Sequence, residues 1–386
     1  MTAKEWPSVL FVDQTGDLGG AEFALYDIAV RWEGRCRVVV FEDGPFPERL
    51  RQAGIDVKVL NSGLSSIRRE SGLSTAARSA RELGSTLRSV ARQLDEFDLL
   101  YTNTQKASAL GALVSTARRK PMVAHLHDLL IDDHFSAFSQ HVARLGLRRA
   151  THIICSSRCI QDALGDHFAA SSRSSVVYYG FELPEPRSEQ EMRSELGIAS
   201  GRCLMGIFSR PSPWKGQEVV LDALSRLSDV DVLIVGDAFF GREAFAEGLR
   251  SQVSELKIAD RVHFLGFRND VADLMAACDL TIHASTSPEP FGRVVVESML
   301  VGTPVIAADA GGPREIIEPG RNGWLCEPED SVSLAAAVSS ALGDPTTLCV
   351  VAQNAKQTAE SKYQMSRYVD EVRKVCVKSI EEHGRG

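Results

Sequence analysis

The stretch from Leu280 to Leu300 constrains the fold of this chain more than any other. Its first part, Leu280 to Ser285, is short, mostly apolar and contains β-branched residues, which predicts a buried strand of a parallel sheet. Phe291 to Leu300 predicts a helix, so the residues between them form a loop at the carboxyl end of the strand. Open α/β sheets bind their ligands beside such loops. We therefore expect an α/β protein with a binding site at this point.

Two carboxylates and a glycine stand at this loop. Glu289 lies in the loop, and Glu297 lies about two turns away along one side of the helix. The backbone N–H groups of Phe291, Gly292 and Arg293 would begin the helix and carry its positive dipole end, which suits a phosphate. One carboxylate could accept hydrogen bonds from sugar hydroxyls and the other from a ribose, with a diphosphate between them. An isolated pair at this spacing is more often a loop glutamate and a solvated helix glutamate, so the context decides.

The residues that follow supply that context. Segment 302–316 contains a Gly-x-Pro-Val strand signal and a Gly-Gly-x-x-Glu turn, and 320–325 runs Gly-Arg-Asn-Gly-Trp-Leu. Together with the Glu289-x7-Glu297 element, these motifs resemble the retaining glycosyltransferases of family four, and the resemblance extends over nearly the whole chain. It implies the GT-B fold, in which two doubly wound Rossmann-like α/β domains face each other across a deep cleft.

Length and composition limit the classes of protein to which this chain can belong. At 386 residues the chain is too long for one ordinary core, so two domains are expected. No apolar stretch approaches the roughly 18 residues of a membrane span, and Val9 to Val12 is too short for the apolar core of a signal peptide. We therefore expect a cytoplasmic protein.

The domain boundaries are predicted from changes in composition and from the resemblance. Residues 1–182 would form the acceptor-binding domain, and 183–200, with its prolines, an extended linker. Residues 201–362 would form the donor-binding domain. In relatives the closing helix, here 363–386, packs back toward the N-terminal domain.

Charge and cysteine spacing exclude other classes. The net charge is −8, with basic and acidic residues balanced in 1–185, so a nucleic-acid partner is not expected. Eight cysteines are scattered without the pairing of a disulfide scaffold or a zinc site, which predicts free thiols and no structural metal.

Gly19 and Gly20 begin the first predicted helix. They do not form the Gly-x-Gly-x-x-Gly dinucleotide fingerprint, which disfavours a Rossmann dehydrogenase. An adjacent glycine pair is usually a tight turn. The family resemblance implies that this loop lines the active cleft, where bare backbone can approach a donor phosphate or an acceptor.

His125 and His127 close a predicted strand and point to opposite faces, so only one of them can serve the site. His127 matches the family histidine that approaches the transferred sugar, which implies that it orients a hydroxyl and stabilises charge. A packed or surface histidine is the alternative, and His125 is expected to have no role in the site.

Tyr178 and Tyr179 replace the Pro-Asn pair that relatives usually carry after this domain's last strand. Any role tied to that asparagine is therefore left open.

A basic face is predicted on the helix from Leu73 to Leu94, where apolar residues recur at helical spacing. The arginines on its opposite side are Arg78, Arg81, Arg88 and Arg92. A solvated face is the preferred interpretation. Weak peripheral contact with anionic lipid at the inner membrane face is the alternative.

Arg210 and Lys215 stand five residues apart across a predicted strand-to-helix turn, so they can converge on one diphosphate. A surface arginine and lysine closing a turn is the alternative, but the spacing matches the family's Arg-to-Lys-Gly element. A later predicted strand runs from Val262 and ends at Gly266. In relatives the residue after this glycine offers its backbone to the nucleobase, which points to Phe267.

The resemblance implies a metal-independent hexosyltransferase without a cofactor, which moves a sugar from a nucleoside-diphosphate sugar to a hydroxyl acceptor with retention. A UDP- or GDP-linked donor is expected first, and the product would be a glycan, glycolipid or glycosylated metabolite. The alternatives are a non-catalytic nucleotide-sugar-binding protein on the same scaffold, or another GT-B enzyme such as a sugar-nucleotide epimerase.

Overall fold

The computed structural model describes residues 6–61, 73–131, 136–165, 173–199, 201–237 and 243–385, with the backbone alone at 73–80. The chain divides into two compact units. The first comprises Met1–Gly180 with Met365–Gly386, and the second is Phe181–Gln364. Each unit is built on its own parallel sheet with flanking helices, which is a Rossmann-like architecture.

The first unit contains a seven-stranded sheet in the order β3-β2-β1-β4-β5-β6-β7. Its strands are β1 (Val9–Asp13), β2 (Cys36–Val40), β3 (Val57–Val59), β4 (Leu99–Thr102), β5 (Met122–Leu126), β6 (His152–Cys155) and β7 (Ser174–Val176). Its helices are α1 (Gly20–Ala29), α2 (Pro45–Gln52), α3 (Leu73–Leu94), α4 (Gln105–Arg118), α5 (Ala137–Leu147) and α6 (Arg158–Ala163). The central strands are buried on both faces, which explains why they read as continuous apolar runs.

The second unit begins with α7 (Glu189–Glu195) and contains a six-stranded sheet in the order β10-β9-β8-β11-β12-β13. Its strands are β8 (Cys203–Phe208), β9 (Val230–Val235), β10 (Val262–Gly266), β11 (Leu280–His283), β12 (Val305–Ala308) and β13 (Trp324–Cys326). Its further helices are α8 (Gln217–Leu224), α9 (Glu243–Glu255), α10 (Val271–Ala276), α11 (Arg293–Val301), α12 (Pro313–Ile316), α13 (Ser331–Leu342) and α14 (Pro345–Lys362). Short 3₁₀ turns stand at Pro213–Lys215 and Ala259–Arg261.

Both sheets have a topological switch point. In the first sheet the order reverses between β1 and β4, and in the second between β8 and β11. Ligands of open α/β sheets bind outside the carboxyl ends of the strands at such points. The loops after these four strands therefore carry most of the candidate site residues, while His127 follows β5 and Phe267 follows β10.

The helix expected from Leu73 to Leu94 is confirmed with the same bounds. The stretch 183–200, expected to be an extended linker, instead contains α7. Ser188 caps this helix by accepting a hydrogen bond from the Glu191 N–H, and Met192 is fully buried in an apolar cluster of the second unit. The prolines of this stretch favoured an extended linker. The helix has only seven residues, and one cap and one buried residue are too few to produce a recognisable helical pattern.

The last helix, α15 (Met365–His383), belongs to the first unit. Tyr368 is fully buried, with its hydroxyl 3.5 Å from the Ala24 carbonyl of α1, and the Arg367 guanidinium donates to the Tyr178 carbonyl at 2.8 Å. All eight cysteines are free thiols, as their spacing predicts.

Among the described residues, no single helix is both long and apolar enough to cross a membrane. Helices α13 and α14 meet that test of length and composition only as a pair, and they are bent by 99°.

Candidate functional site

The second unit's switch point brings together a lysine and a glutamate from distant parts of the chain. Lys215 ends the 3₁₀ turn after β8, and Glu289 lies in the loop between β11 and α11. The Lys215 Nζ lies 2.6 Å from the Glu289 Oε2, and both side chains are largely buried, at 20% and 14% exposure. The ammonium also lies 3.8 Å from the centre of the Trp214 ring. The structure therefore places these two predicted site residues in direct contact.

Two further side chains bind the Glu289 carboxylate. Ser285 donates its hydroxyl to Oε2 at 3.0 Å, and the His283 Nε2 lies 3.3 Å from the same oxygen. Burial raises the pKa of Glu289, but the Lys215 ammonium and the bond from His283 outweigh it and hold the pKa well below its usual range. Glu289 is therefore a fixed anion, able to accept hydrogen bonds over a wide pH range.

Glycines allow the loops of this site to approach one another. Gly216 adopts φ +72°, and a Cβ on it would lie 1.9 Å from the Ala284 carbonyl oxygen just after β11. Gly312 donates its N–H to the Glu289 carbonyl at 2.7 Å, and a Cβ there would lie 2.2 Å from the Phe291 carbonyl oxygen. The Gly-Gly turn that carried the sequence resemblance thus supports the backbone of the Glu289 loop.

Helix α11 begins at Arg293, two residues later than the predicted start at Phe291. Gly292 is its N-cap, at φ +99°, and among the described residues no side chain caps its first turn. The Arg293 guanidinium lies 4.7 Å from the Phe181 ring centre and 3.6 Å from the Glu297 carboxylate. Burial raises the pKa of Glu297, and Arg293 offsets this only in part. Phe291 is buried against Phe181, so its side chain serves packing and only its backbone can reach a ligand.

Two predicted residues are not in contact with this cluster. Arg210 lies exposed beyond the end of β8, and its guanidinium pairs with no carboxylate within the described ranges, although its carbonyl accepts a bond from Gln217 at 3.2 Å. Phe267 follows β10 with 61% of its surface exposed. Both are accessible to a ligand.

In the first unit, Gly19 is the N-cap of α1 and Gly20 is its first residue. Glu22 folds back on this terminus, and a Cβ on Gly19 would lie 2.7 Å from the Glu22 Oε2. This is one half of a capping box, in which a glutamate at the third helical position reaches the N-cap N–H. The Glu22 carboxyl group already occupies the position where a phosphate would bind, so this loop suits a hydroxyl better than an anion.

His127 is held at both ring nitrogens. Its Nδ1 lies 2.6 Å from the Tyr179 hydroxyl, and its Nε2 lies 2.8 Å from the Asn103 Oδ1. The Asn103 Nδ2 donates to the Asp13 carboxylate at 2.7 Å and to the Ala21 carbonyl at 3.0 Å, so its Oδ1 must face the histidine. Nε2 therefore carries the proton and, in the neutral ring, Tyr179 donates to Nδ1. To bind a sugar, His127 must exchange one of these bonds.

Asp13 and Glu22 form a buried acidic pair beside this network. Burial raises the pKa of both carboxyls, and the Asp13 charge raises that of Glu22 further. His125 is also fully buried, with its Nδ1 2.6 Å from the Tyr101 hydroxyl. The expectation that His125 and His127 point to opposite faces is wrong: their ring centres lie 4.0 Å apart, because residues two apart in a strand share a face. Burial and the neighbouring His127 lower the pKa of His125, which keeps it neutral.

Five polar residues of these clusters were missed in the sequence: Asp13, Glu22, Asn103, His283 and Ser285. Asp13 ends β1, Asn103 directly follows β4 and His127 directly follows β5. The carboxyl ends of parallel strands meet at one edge of the sheet. A search for polar residues at predicted strand ends would therefore have found Asp13 and Asn103.

Both units are doubly wound parallel α/β folds. The second has a basic residue, a buried glutamate and a helix start at its switch point. Together these features are those of the GT-B class of glycosyltransferase. Residues 188–358 match the family model "Glycosyl transferases group 1", and residues 19–180 match the model "Glycosyl transferase 4-like domain". The chain belongs to the group 1 glycosyltransferases of family four.

Among solved structures, the chain is similar to HepE of Anabaena. The two superpose with a TM-score of 0.85 at 37% sequence identity, covering 96% of this chain and 100% of that one. HepE has been solved with UDP-glucose, and also with UDP and glucose.

Among curated proteins, D-inositol 3-phosphate glycosyltransferase of Mycobacterium marinum is 34% identical over 180 residues. That match covers 46% of this chain and 38% of the relative, so it spans less than half of either protein. Spore coat protein SA of Bacillus subtilis is 26% identical over 305 residues, covering 73% of this chain and 79% of the relative.

Proposed function

We propose that this protein is a retaining glycosyltransferase that moves a sugar from a nucleoside-diphosphate sugar, UDP-linked in the first instance, to a hydroxyl acceptor. The observation that carries the proposal is the Lys215–Glu289 pair at the second unit's switch point, 2.6 Å apart beside the start of α11. The similarity to HepE, solved with UDP-glucose, supports UDP as the carrier.

The donor's diphosphate is held by cations and by a helix start. Lys215 and Arg210 flank the turn after β8, and the first N–H groups of α11 carry its positive dipole end. As the bond to the sugar breaks, negative charge grows on the departing diphosphate. These groups stabilise it where it develops. The reaction then requires no metal, and turnover is expected to persist in a chelator.

Glu289 and Glu297 bind the two sugars of the donor. The low pKa of Glu289 keeps it an acceptor for hydroxyls of the transferred sugar, and Glu297 accepts from the ribose hydroxyls. Because Lys215 already binds Glu289, donor binding makes the ammonium a shared cation between carboxylate and phosphate. The Phe267 backbone is the proposed contact for the base.

The acceptor hydroxyl is deprotonated on the face from which the diphosphate departs. The leaving phosphate oxygen takes the proton, so the configuration at the anomeric carbon is retained without a carboxylate nucleophile. His127 orients a sugar hydroxyl in this scheme. The Gly19–Gly20 loop, with Glu22 at the helix terminus, presents hydrogen-bonding groups to a hydroxyl-bearing acceptor.

A thermal-shift panel of UDP, GDP and ADP tests the donor, because a ligand at 100 times its Kd stabilises the folded protein by about 2.7 kcal/mol. The matching nucleotide sugar is then incubated with the protein, and release of the nucleoside diphosphate is followed by chromatography. A stabilising nucleotide sugar that is never turned over would favour the non-catalytic alternative. An NMR spectrum of the product's anomeric proton distinguishes retention from inversion.

A further inference from the structure

A cavity lies in the first unit, at the opposite edge of the sheet from the network around His127. Its volume is about 530 Å³, and it is lined by residues that immediately precede strands, among them Thr151 before β6 and Arg173 before β7. His127, Asn103 and Asp13 stand at the carboxyl ends of the strands, so the two sites are distinct.

Three arginines line this cavity: Arg119, Arg149 and Arg173. All three are exposed, and none of them forms an ion pair with a carboxylate in the part of the chain that the structure describes. The one acidic side chain in the lining, Glu382, lies 3.7 Å from the Lys378 ammonium. The lining therefore holds three guanidinium groups against one carboxylate, which is shared with a lysine outside the lining, in a chain whose net charge is −8.

An alternative explanation is that the arginines complement helix dipoles. Arg119 follows the end of α4, and Arg149 follows the end of α5. A helix C-terminus carries about half a negative charge, so the ends of α4, α5 and α15 together offset about half of the three guanidinium charges. The positive charge that remains favours an anion at this place.

The backbone at Arg119 adds an independent observation. Arg119 adopts φ +51°, a left-handed conformation that a helix C-cap usually reserves for glycine or asparagine. The His383 Nε2 donates to its carbonyl at 2.9 Å, which ties the end of α15 to this turn and forms one wall of the cavity. The left-handed conformation has a conformational cost for an arginine, and it places this residue at the turn that the His383 side chain contacts.

We propose that this cavity binds an anion with two or more phosphoryl groups. Guanidinium groups form paired, parallel hydrogen bonds with phosphate oxygens, and three of them exceed what one phosphoryl group needs. The Thr151 hydroxyl lies in the same lining. The anion is either a soluble diphosphate or the headgroup region of an anionic lipid.

Calorimetric titration with inorganic pyrophosphate tests the proposal. It is carried out on the full chain with Lys215→Ala, because pyrophosphate would also bind at Lys215 if the proposed donor site is correct. We expect one binding event, weakened about tenfold by each single substitution Arg119→Ala, Arg149→Ala or Arg173→Ala. The affinity should also fall as salt concentration rises.

The matched control is the triple variant Arg81→Ala, Arg88→Ala and Arg92→Ala on α3, which changes the net charge by the same amount as the triple cavity variant. It should retain pyrophosphate binding. Absence of binding to the Lys215→Ala chain, or equal weakening by the two triple variants, would overturn the proposal. Glycosyl transfer by the wild-type chain is a separate measurement, so failure of one proposal leaves the other standing.

Vesicles of equal parts phosphatidylcholine and phosphatidylglycerol identify the source of the anion once pyrophosphate binding is established. Co-sedimentation that pyrophosphate displaces, and that the triple cavity variant loses, assigns the cavity to lipid headgroups. Absence of co-sedimentation assigns it to a soluble diphosphate.

Discussion

The Lys215 ammonium lies 2.6 Å from the Glu289 carboxylate, although 74 residues separate them in the chain. The sequence analysis predicts separate roles for them: Lys215 binds the diphosphate and Glu289 binds the sugar. Their contact lowers the pKa of Glu289 and holds both side chains in place before a donor arrives. Removing either one therefore changes both catalysis and the electrostatics of the second unit.

Lys215→Ala is expected to lower turnover by about 10² to 10³, because it removes a charged donor from the developing diphosphate. The assay is release of nucleoside diphosphate from the matched donor in the presence of acceptor. Lys356→Ala, an exposed lysine of α14, is the control and should be active. A folded Lys215→Ala variant with near-native turnover would refute the diphosphate role.

The same substitution should destabilise the protein in a pH-dependent way. The depressed pKa of Glu289 contributes stability that is present above its ordinary pKa of about 4.5 and is lost as the pH falls. Without the ammonium, the free energy of unfolding should drop by about 1–3 kcal/mol at pH 7. The deficit should shrink toward pH 4, as denaturant titrations at both pH values would show.

Glu297→Ala is expected to weaken UDP binding by about tenfold or more, since it removes the proposed partner of the ribose hydroxyls. Calorimetric titration with UDP measures this directly. Glu255→Ala, on α9 and away from the switch point, provides the control. Unchanged affinity in the Glu297 variant would remove this residue from the nucleotide site.

Glu22→Gln should make the protein more stable at alkaline pH. The pKa of Glu22 is raised by burial and by Asp13, so the fold favours its protonated form. The contribution of that form is fully present below about pH 4.5 and is lost as the pH rises, by up to about 1.4 kcal/mol per pH unit, until the raised pKa is passed.

Urea unfolding of the wild type and of Glu22→Gln at pH 5 and pH 8 measures this effect. The variant's advantage should be larger at pH 8. Glu33→Gln, an exposed glutamate of the same unit, should show no such difference. A Glu22 variant whose relative stability is the same at both pH values would contradict the raised pKa.

Tyr179→Phe should leave the His127 Nδ1 buried without its donor, at a cost of about 1–3 kcal/mol. Because Asn103 fixes the proton on Nε2, the ring should keep that tautomer in the wild type, and ¹⁵N shifts of the imidazole report it. In the variant the same tautomer should persist, because the Asn103 Oδ1 still accepts from Nε2. Tyr26→Phe is the control, since the Tyr26 hydroxyl makes no hydrogen bond with any described residue.

Much of the fold was predictable because the central parallel strands are buried on both faces and read as apolar runs. The bounds of α3 were predicted correctly to the residue. The Glu289 loop was also predictable, since a strand, a loop and a helix in series determine which sheet edge the loop occupies.

The partners of the predicted site residues were not predictable in the same way. The bonds from His283 and Ser285 to Glu289 depend on how the loop folds back over the end of β11. The network that joins Asp13, Asn103 and His127 requires the strand order, because β4 lies beside β1 only after a long crossover. Local sequence patterns do not show which residues from distant parts of the chain become neighbours.

Gly216→Ala tests whether the close approach of the two switch-point loops positions Lys215. A Cβ at Gly216 would meet the Ala284 carbonyl oxygen at 1.9 Å, so the Lys215 turn would have to move away from β11. Gly302→Ala is the matched control. Its φ is +90°, so it carries similar backbone strain, but its nearest atom to a new Cβ is the Lys356 Cδ at 3.8 Å.

Both glycine variants should lose about 1 kcal/mol from the left-handed conformation. Gly216→Ala alone should also lower turnover by about tenfold or more, because a displacement of about 1 Å at a positioning residue is costly to catalysis. Denaturant titration and turnover, measured on both variants, separate strain from displacement. Equal turnover in the two variants would mean that the approach of Gly216 to Ala284 serves the stability of the fold and leaves the position of Lys215 unaffected.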